Sequence, residues 1–169
     1  MSNITLPSDY VGEYHISQEK YGTFQTYLDG NEKAILIELL GAGLYSEFAA
    51  DLDGDNLPVS DRFVQIYEEK FFDDDKKVVH SKGMKEMLLG FIYAGYVTKT
   101  GVMHTGTGLV SNLNENSTVE MSEKGAQHTQ TKYYQAVKTY QAIQRYIELN
   151  RSTYPNFNGQ AKEAQAIFI

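Results

Sequence analysis

The chain is 169 residues long, carries a formal net charge of −7 with a pI near 5.1, and contains neither cysteine nor tryptophan. These properties exclude a disulfide framework, a thiolate metal site and a cysteine nucleophile. They also disfavour general electrostatic capture of nucleic acid, which needs clustered Lys and Arg. A single domain of this size buries about 68–70% of its unfolded surface and needs no metal to fold. No apolar run approaches the length of a membrane span. The first residues lack the basic start and apolar core of a secretion signal, so the expectation is a soluble intracellular protein.

Residues 1–30 are punctuated by Pro7, Gly12, Gly22 and Gly30. They are expected to form an extended arm with one short strand or turn, the turn over 23–28, where Phe24, Tyr27 and Leu28 share a helical face. Asn31 then fits an N-cap for a helix over 32–40, with Ile35, Leu36, Leu39 and Leu40 as its buried stripe. Gly41 and Gly43 interrupt that stripe, and Leu44, Tyr45 and Phe48 continue it in a second short helix. Gly41-Ala-Gly43 lacks the GxGxxG spacing of a phosphate loop and reads as a close-packed kink. The run Asp51-Leu-Asp-Gly-Asp55 invites a calcium reading, but Asn56 and Arg62 stand where an EF-hand loop needs glycine and glutamate. An acidic solvated loop is expected there, with weak cation binding as the alternative.

A helix over 60–72 follows, with Phe63, Ile66, Tyr67 and Phe71 on its apolar face, then a charged loop over 73–77 and an extended piece at Val78 and Val79. Ser81 caps a long helix over 82–97, striped by Met84, Leu88, Phe91, Ile92 and Gly95. Gly90, Ala94 and Gly95 are small enough to admit another backbone. The second long helix is 127–150, with Tyr133, Ala136, Val137, Tyr140, Ile143 and Ile147 recurring at threes and fours. These two segments are expected to be the longest helices and to pack together. The connection 98–121 is too long for a simple turn. Its glycines and flanking apolar residues suggest a β-hairpin or an arched loop that projects and makes contacts through Gly101, Val102, Met103, His104, Leu109 and Val110. The tail 151–169 contains Pro155, a turn over 156–159, a candidate short helix over 161–166 and an apolar end. Tyr154, Phe157, Ile167, Phe168 and Ile169 are its expected docking contacts on another protein; the alternative is a tail that folds back over its own bundle.

The fold class expected is therefore mainly α: a small helical bundle (31–150) with an extended N-terminal arm (1–30), a long loop or β-hairpin between the last two long helices, and an extended C-terminal tail (151–169). The four histidines, His15, His80, His104 and His128, form no HxxxH or HExxH pattern, and no nucleophile elbow or Walker loop occurs. No catalytic, cofactor-binding or metal-ligating residue is assigned, and a non-enzymatic role is expected.

The order of segments carries a resemblance. An arm precedes Phe24-xx-Tyr27-xxxx-Glu32; then come Leu39-Leu-Gly41-xx-Leu44-Tyr45, two further helices, a loop opening on Thr100-Gly-Val102, and a long tyrosine-bearing helix. Over residues 23–150 this resembles the helical head–tail connector (head-completion, adaptor or neck-ring) proteins of tailed bacteriophages, including those of Bacteroidetes and crAss-like phages. The resemblance implies a virion structural protein without cofactor, assembled in the host cytoplasm. It further implies a closed homo-oligomeric ring, commonly of twelve copies, that binds the portal protein and the next neck or tail protein and lets DNA pass through its channel without specific binding. The alternatives are a helical protein-binding module or tail-assembly factor outside the virion, and an enzyme of unassigned reaction.

Overall fold

A computed structural model describes residues 3–16, 20–75, 77–100, 103–105, 108–110 and 123–164. Its elements are helices α1 (Tyr21–Leu40), α2 (Ala42–Asp51) and α3 (Asp61–Tyr67), a hairpin of β1 (Lys70–Asp74) and β2 (Lys77–Ser81), helix α4 (Met84–Thr100), a small hairpin of β3 (Met103–Thr105) and β4 (Gly108–Val110), and helix α5 (Glu123–Leu149). The fold is mainly helical, as the apolar periodicities imply. None of the helices among the described residues is long and apolar enough to cross a membrane.

Helix α1 begins ten residues before the expected cap. Phe24, Leu28, Glu32, Leu36 and Leu40 follow one another at four-residue steps, and all are buried. That stripe outweighs Gly22 and Gly30, which cost about 1 kcal/mol each inside a helix and sit where an added Cβ would meet nothing. Asn31 is mid-helix, its amide donating to the Tyr27 carbonyl at 2.7 Å. The arm is correspondingly shorter than 1–30. It contains two 3-10 turns, Pro7–Asp9 and Gly12–Tyr14, and is pinned rather than loose, with Tyr10 and Ile16 fully buried. The Glu32 carboxylate fastens its start, accepting the Ile4 N–H at 2.6 Å, the Thr5 N–H at 3.0 Å and the Thr5 hydroxyl at 2.6 Å. Burial pushes this carboxyl above the usual range, and the three hydrogen bonds oppose that shift.

Helix α3 ends at Tyr67, and the helix expected over 60–72 is corrected there. Phe71 and Phe72 belong to β1, which alternates sides in the two-residue period of a strand. A pair of adjacent aromatics after Ile66 and Tyr67 satisfies both periods, which is why the sequence pattern favoured a helix. Gly83, at φ +88°, turns the chain from β2 into α4; a Cβ there would lie 2.7 Å from the Tyr67 carbonyl oxygen.

Helix α4 is the centre of the molecule and packs along α5. It is buried on nearly all sides from Met84 to Val97. Gly90 permits the closest approach, since an added Cβ would lie 2.8 Å from that of Ala136. Gly95 opens instead toward α1, where a Cβ would meet the Tyr27 hydroxyl at 2.3 Å. α5, 27 residues long, is the longest helix, but α1 with 20 residues exceeds α4 with 17, which corrects the expected ranking. Two cores flank α4. One is largely aliphatic and runs between α1, α2, α3 and α5. The other joins the arm to α1 and α4 through rings set edge to face, Tyr10 on Phe24 at 4.5 Å and Phe24 on Tyr96 at 4.9 Å. Burial pushes the Tyr93 phenol in this second core up to about 12.

After α5 the chain doubles back as a strap. Tyr154 and Phe157 enter the main core, the former 1% exposed, with its hydroxyl donating to the Arg62 carbonyl. The strap then pairs with the end of α1: the Asn158 N–H donates to the Leu40 carbonyl at 3.2 Å and the Gln160 N–H to the Glu38 carbonyl at 2.7 Å. The expected kink is real and has a purpose here. Gly41, at φ +80°, leaves room for the strap, because a Cβ would stand 2.7 Å from the Asn158 backbone. Gly159 is tighter still, with the Leu39 carbonyl oxygen 2.0 Å from where a Cβ would be. Residues 161–164 are not helical; the rest of the expected 161–166 helix lies outside the described residues.

Candidate functional site

The hairpin β1–β2 has two unlike faces. Its strands pair antiparallel, Phe71 opposite His80 and Asp73 opposite Val78 on one face, Phe72 opposite Val79 and Asp74 opposite Lys77 on the other. The inner face lies on α5. Asp74, 7% exposed, takes a two-pronged ion pair from Arg145, Nε to Oδ2 at 2.9 Å and Nη2 to Oδ1 at 2.6 Å. That hydrogen bonding holds the Asp74 carboxyl below the usual carboxylate range. Phe72 meets Tyr146 edge-on at 5.3 Å, and Lys70 reaches the Tyr146 hydroxyl at 3.0 Å. A two-stranded hairpin is marginal alone; these contacts make it a fixed part of the body.

The outer face presents Phe71 at 64% and Val78 at 65% exposure. The Phe71 ring stacks on His80 at 4.1 Å, and His80 Nε2 lies 2.6 Å from a Glu69 carboxylate oxygen. The result is a fixed sheet surface of four side chains, on which exposed Phe71 and Val78 lie diagonally across the strands and His80 and Asp73 fill the other two places. Sequence reading placed Phe71 inside a helix and so missed this face. Lys70-Phe-Phe-Asp-Asp74 alternates in burial but not in hydropathy, so the signal available was the β-branched pair Val78-Val79 after a charged turn.

The residues singled out from sequence divide into three groups. Met103, His104, Leu109 and Val110 do fall in an antiparallel hairpin, β3–β4, with Met103 opposite Val110 and His104 opposite Leu109. Tyr154 and Phe157, expected to dock on a partner, are core residues of this chain, because the strap needs apolar anchors to stay on the bundle. Gly101, Val102, Ile167, Phe168 and Ile169 lie outside the described residues.

The acidic loop is closed on itself. Asp53 Oδ1 accepts the Asp55 and Leu57 N–H groups at 2.9 Å each, and Asp51 accepts the N–H groups of Val59 and Ser60 at 2.9 Å each. Among the described residues no group of three or more His, Asp or Glu side chains is placed to hold a metal ion. Beside the Glu32 fastening lies a cavity of about 240 Å³ lined by Ile4, Leu36, Tyr45, Phe48 and Leu52, with Lys33 and Asp29 at its mouth. A wider groove of about 550 Å³ lies between α1 and the end of α4, lined by Thr23, Thr26, Tyr27, Gly30, Tyr96 and Lys99.

Residues 36–166 match the sequence pattern of a family of unknown function (DUF6712). No curated protein and no solved structure matches the chain.

Proposed function

The chain belongs to the DUF6712 family of unknown function, and from that premise we propose that it is a structural ring subunit of a tailed-phage neck, joining the portal to the tail and continuing the DNA channel. The observation that carries the reading is the outer face of β1–β2, where Phe71 and Val78 are exposed on a strand pair held against α5. Aromatic and aliphatic side chains held in place on a surface are suited to a protein contact. α4 and α5 run antiparallel, so β3–β4 follows α4 toward the N-terminal end of α5, while β1–β2 sits near Arg145. The two hairpins are thus separated by roughly 30 Å of helix. Two hairpins far apart on one subunit suit head-to-tail association, which closes into a ring when the rotation permits. β1–β2 meets the neighbouring copy, and the portal and the next neck protein bind above and below. The net charge of −7 suits a channel wall past which DNA slides.

Native mass spectrometry of the full chain, alone and co-expressed with the portal of its own genome, tests this. A closed ring of identical copies is expected, and Phe71→Ser with Val78→Ser should leave a folded monomer. A wild-type chain that stays monomeric both alone and with the portal overturns the proposal.

A further inference from the structure

Resting on the ring reading above, we infer that β1 of one copy and β4 of the next pair edge to edge, so that their two hairpins join into one sheet across the subunit boundary. Among the described residues each sheet has only two strands, β1-β2 and β3-β4, too few for a sheet that stands by itself. The shortfall is the same in both hairpins, and one contact between successive copies meets it twice.

The free edges follow from the registers. In β1–β2, Asp74 faces Lys77 with two residues between them. A hairpin that short closes on a pair that exchanges both hydrogen bonds, and such pairs recur at every second residue. Lys70, Phe72 and Asp74 therefore bond to β2, whereas the N–H and C=O groups of Phe71 and Asp73 point away from it. In β3–β4, Thr105 faces Gly108 in the same way, which sends the N–H and C=O of Leu109 outward from β4. Among the described residues no backbone group outside the hairpins bonds to those of Phe71, Asp73 or Leu109.

Both edges face away from the body. β2 runs closer to α5 than β1 does, and β3 closer than β4, which leaves β1 and β4 as the outer strands. The register of β1 is unbroken by a bulge and the strand holds no proline, so two of the devices that keep an edge from pairing are missing. A strand added to such an edge is held by main-chain hydrogen bonds. The occupant follows from the symmetry. β1 on the β1 of a second copy is a two-fold contact that stops at a dimer, whereas β1 on β4 is head-to-tail and runs on from copy to copy until the ring closes. β4 is short and offers few bonds, and closure offsets this because it repeats the contact at every subunit.

Proline at a position whose N–H points outward removes an edge donor and leaves the hairpin's own ladder intact. Asp73→Pro therefore blocks the β1 edge and Leu109→Pro the β4 edge. Each variant alone and their equimolar mixture are compared by native mass spectrometry and, at the highest soluble concentration, by sedimentation velocity. Circular dichroism checks that the helices are kept, and Phe71→Pro takes the place of Asp73→Pro if that variant loses them. Each variant alone is expected to be a monomer. The mixture joins the intact β1 of one variant to the intact β4 of the other, and is expected to give a dimer with one chain of each and nothing larger. Wild-type rings that survive either proline overturn the inference and leave the ring reading standing, as does a mixture that stays monomeric. A Leu109→Pro chain that dimerises by itself overturns it too, since β1 edges would then be pairing with each other. A wild-type chain that never associates overturns the ring reading and this inference with it.

Discussion

The strap and the β1–β2 hairpin are both short non-helical pieces laid against α5, yet they spend their aromatics in opposite ways. The strap turns Tyr154 and Phe157 inward and closes the main core with them. The hairpin turns Phe72 inward and leaves Phe71 in solvent. The strap's backbone is also consumed, by the carbonyls of Leu40 and Glu38, whereas the hairpin pairs only with itself. Apolar content therefore says that a segment needs cover; it does not say whose. The difference lies in attachment: the strap is held by its side chains in the core, the hairpin by the Asp74–Arg145 ion pair and by Phe72 and Lys70 on Tyr146, on a face that leaves the other free.

The largest effect that tests this contrast comes from the strap. Tyr154→Ala should cost about 3–5 kcal/mol, the usual range for removing a large buried ring, and stopping the chain after Thr153 should cost no less, both measured by urea unfolding. A chain that ended at Thr153 with unchanged stability would make the strap an accessory and remove the contrast. Gly159→Val comes next. Its side chain cannot coexist with the Leu39 carbonyl, and the overpacking should cost about 1–3 kcal/mol, with faster amide exchange at Gln160.

The hairpin's own attachment is tested by Arg145→Met, with the pH dependence as the signature. Because the pair holds the Asp74 carboxyl down, its stabilisation is present above about pH 3.9, the value for an unfolded aspartate, and is lost as pH falls through the lower folded value. The variant should melt below wild type at neutral pH, and the gap should close toward strongly acidic pH. Melting curves across that range check the sign. The smallest effect belongs to the outer face: Phe71→Ser with Val78→Ser should change stability by no more than about 0.5 kcal/mol each, in contrast to Tyr154→Ala.

Most of the bundle was legible because its helices carry long apolar stripes. α4 and α5 were placed to within a few residues, and Gly90 did mark their closest approach. α1 was cut short for a physical reason. Glu32 occupies a stripe position, and a carboxylate there reads as solvent-facing until the Ile4 and Thr5 N–H groups are known to meet it. Gly30-Asn31 reads as punctuation when a buried stripe on the opposite side is overlooked. The strap was legible as a turn-rich, aromatic segment but not as core, since its partners, Glu38, Leu40 and Arg62, lie more than ninety positions away in the chain. The outer hairpin face was hidden by the same ambiguity of period that hid β1.

The strap's place in the chain has a consequence for biosynthesis. It follows α5, so it leaves the ribosome after every helix it closes over. Until then the slots for Tyr154 and Phe157 are empty and the Leu40 and Glu38 carbonyls are unpaired, so the nascent bundle is sticky and incomplete. The core becomes whole only when translation has passed the last helix. A chain built this way acquires its stable shape late, and whatever meets it before then meets a loosely closed body instead of the finished one.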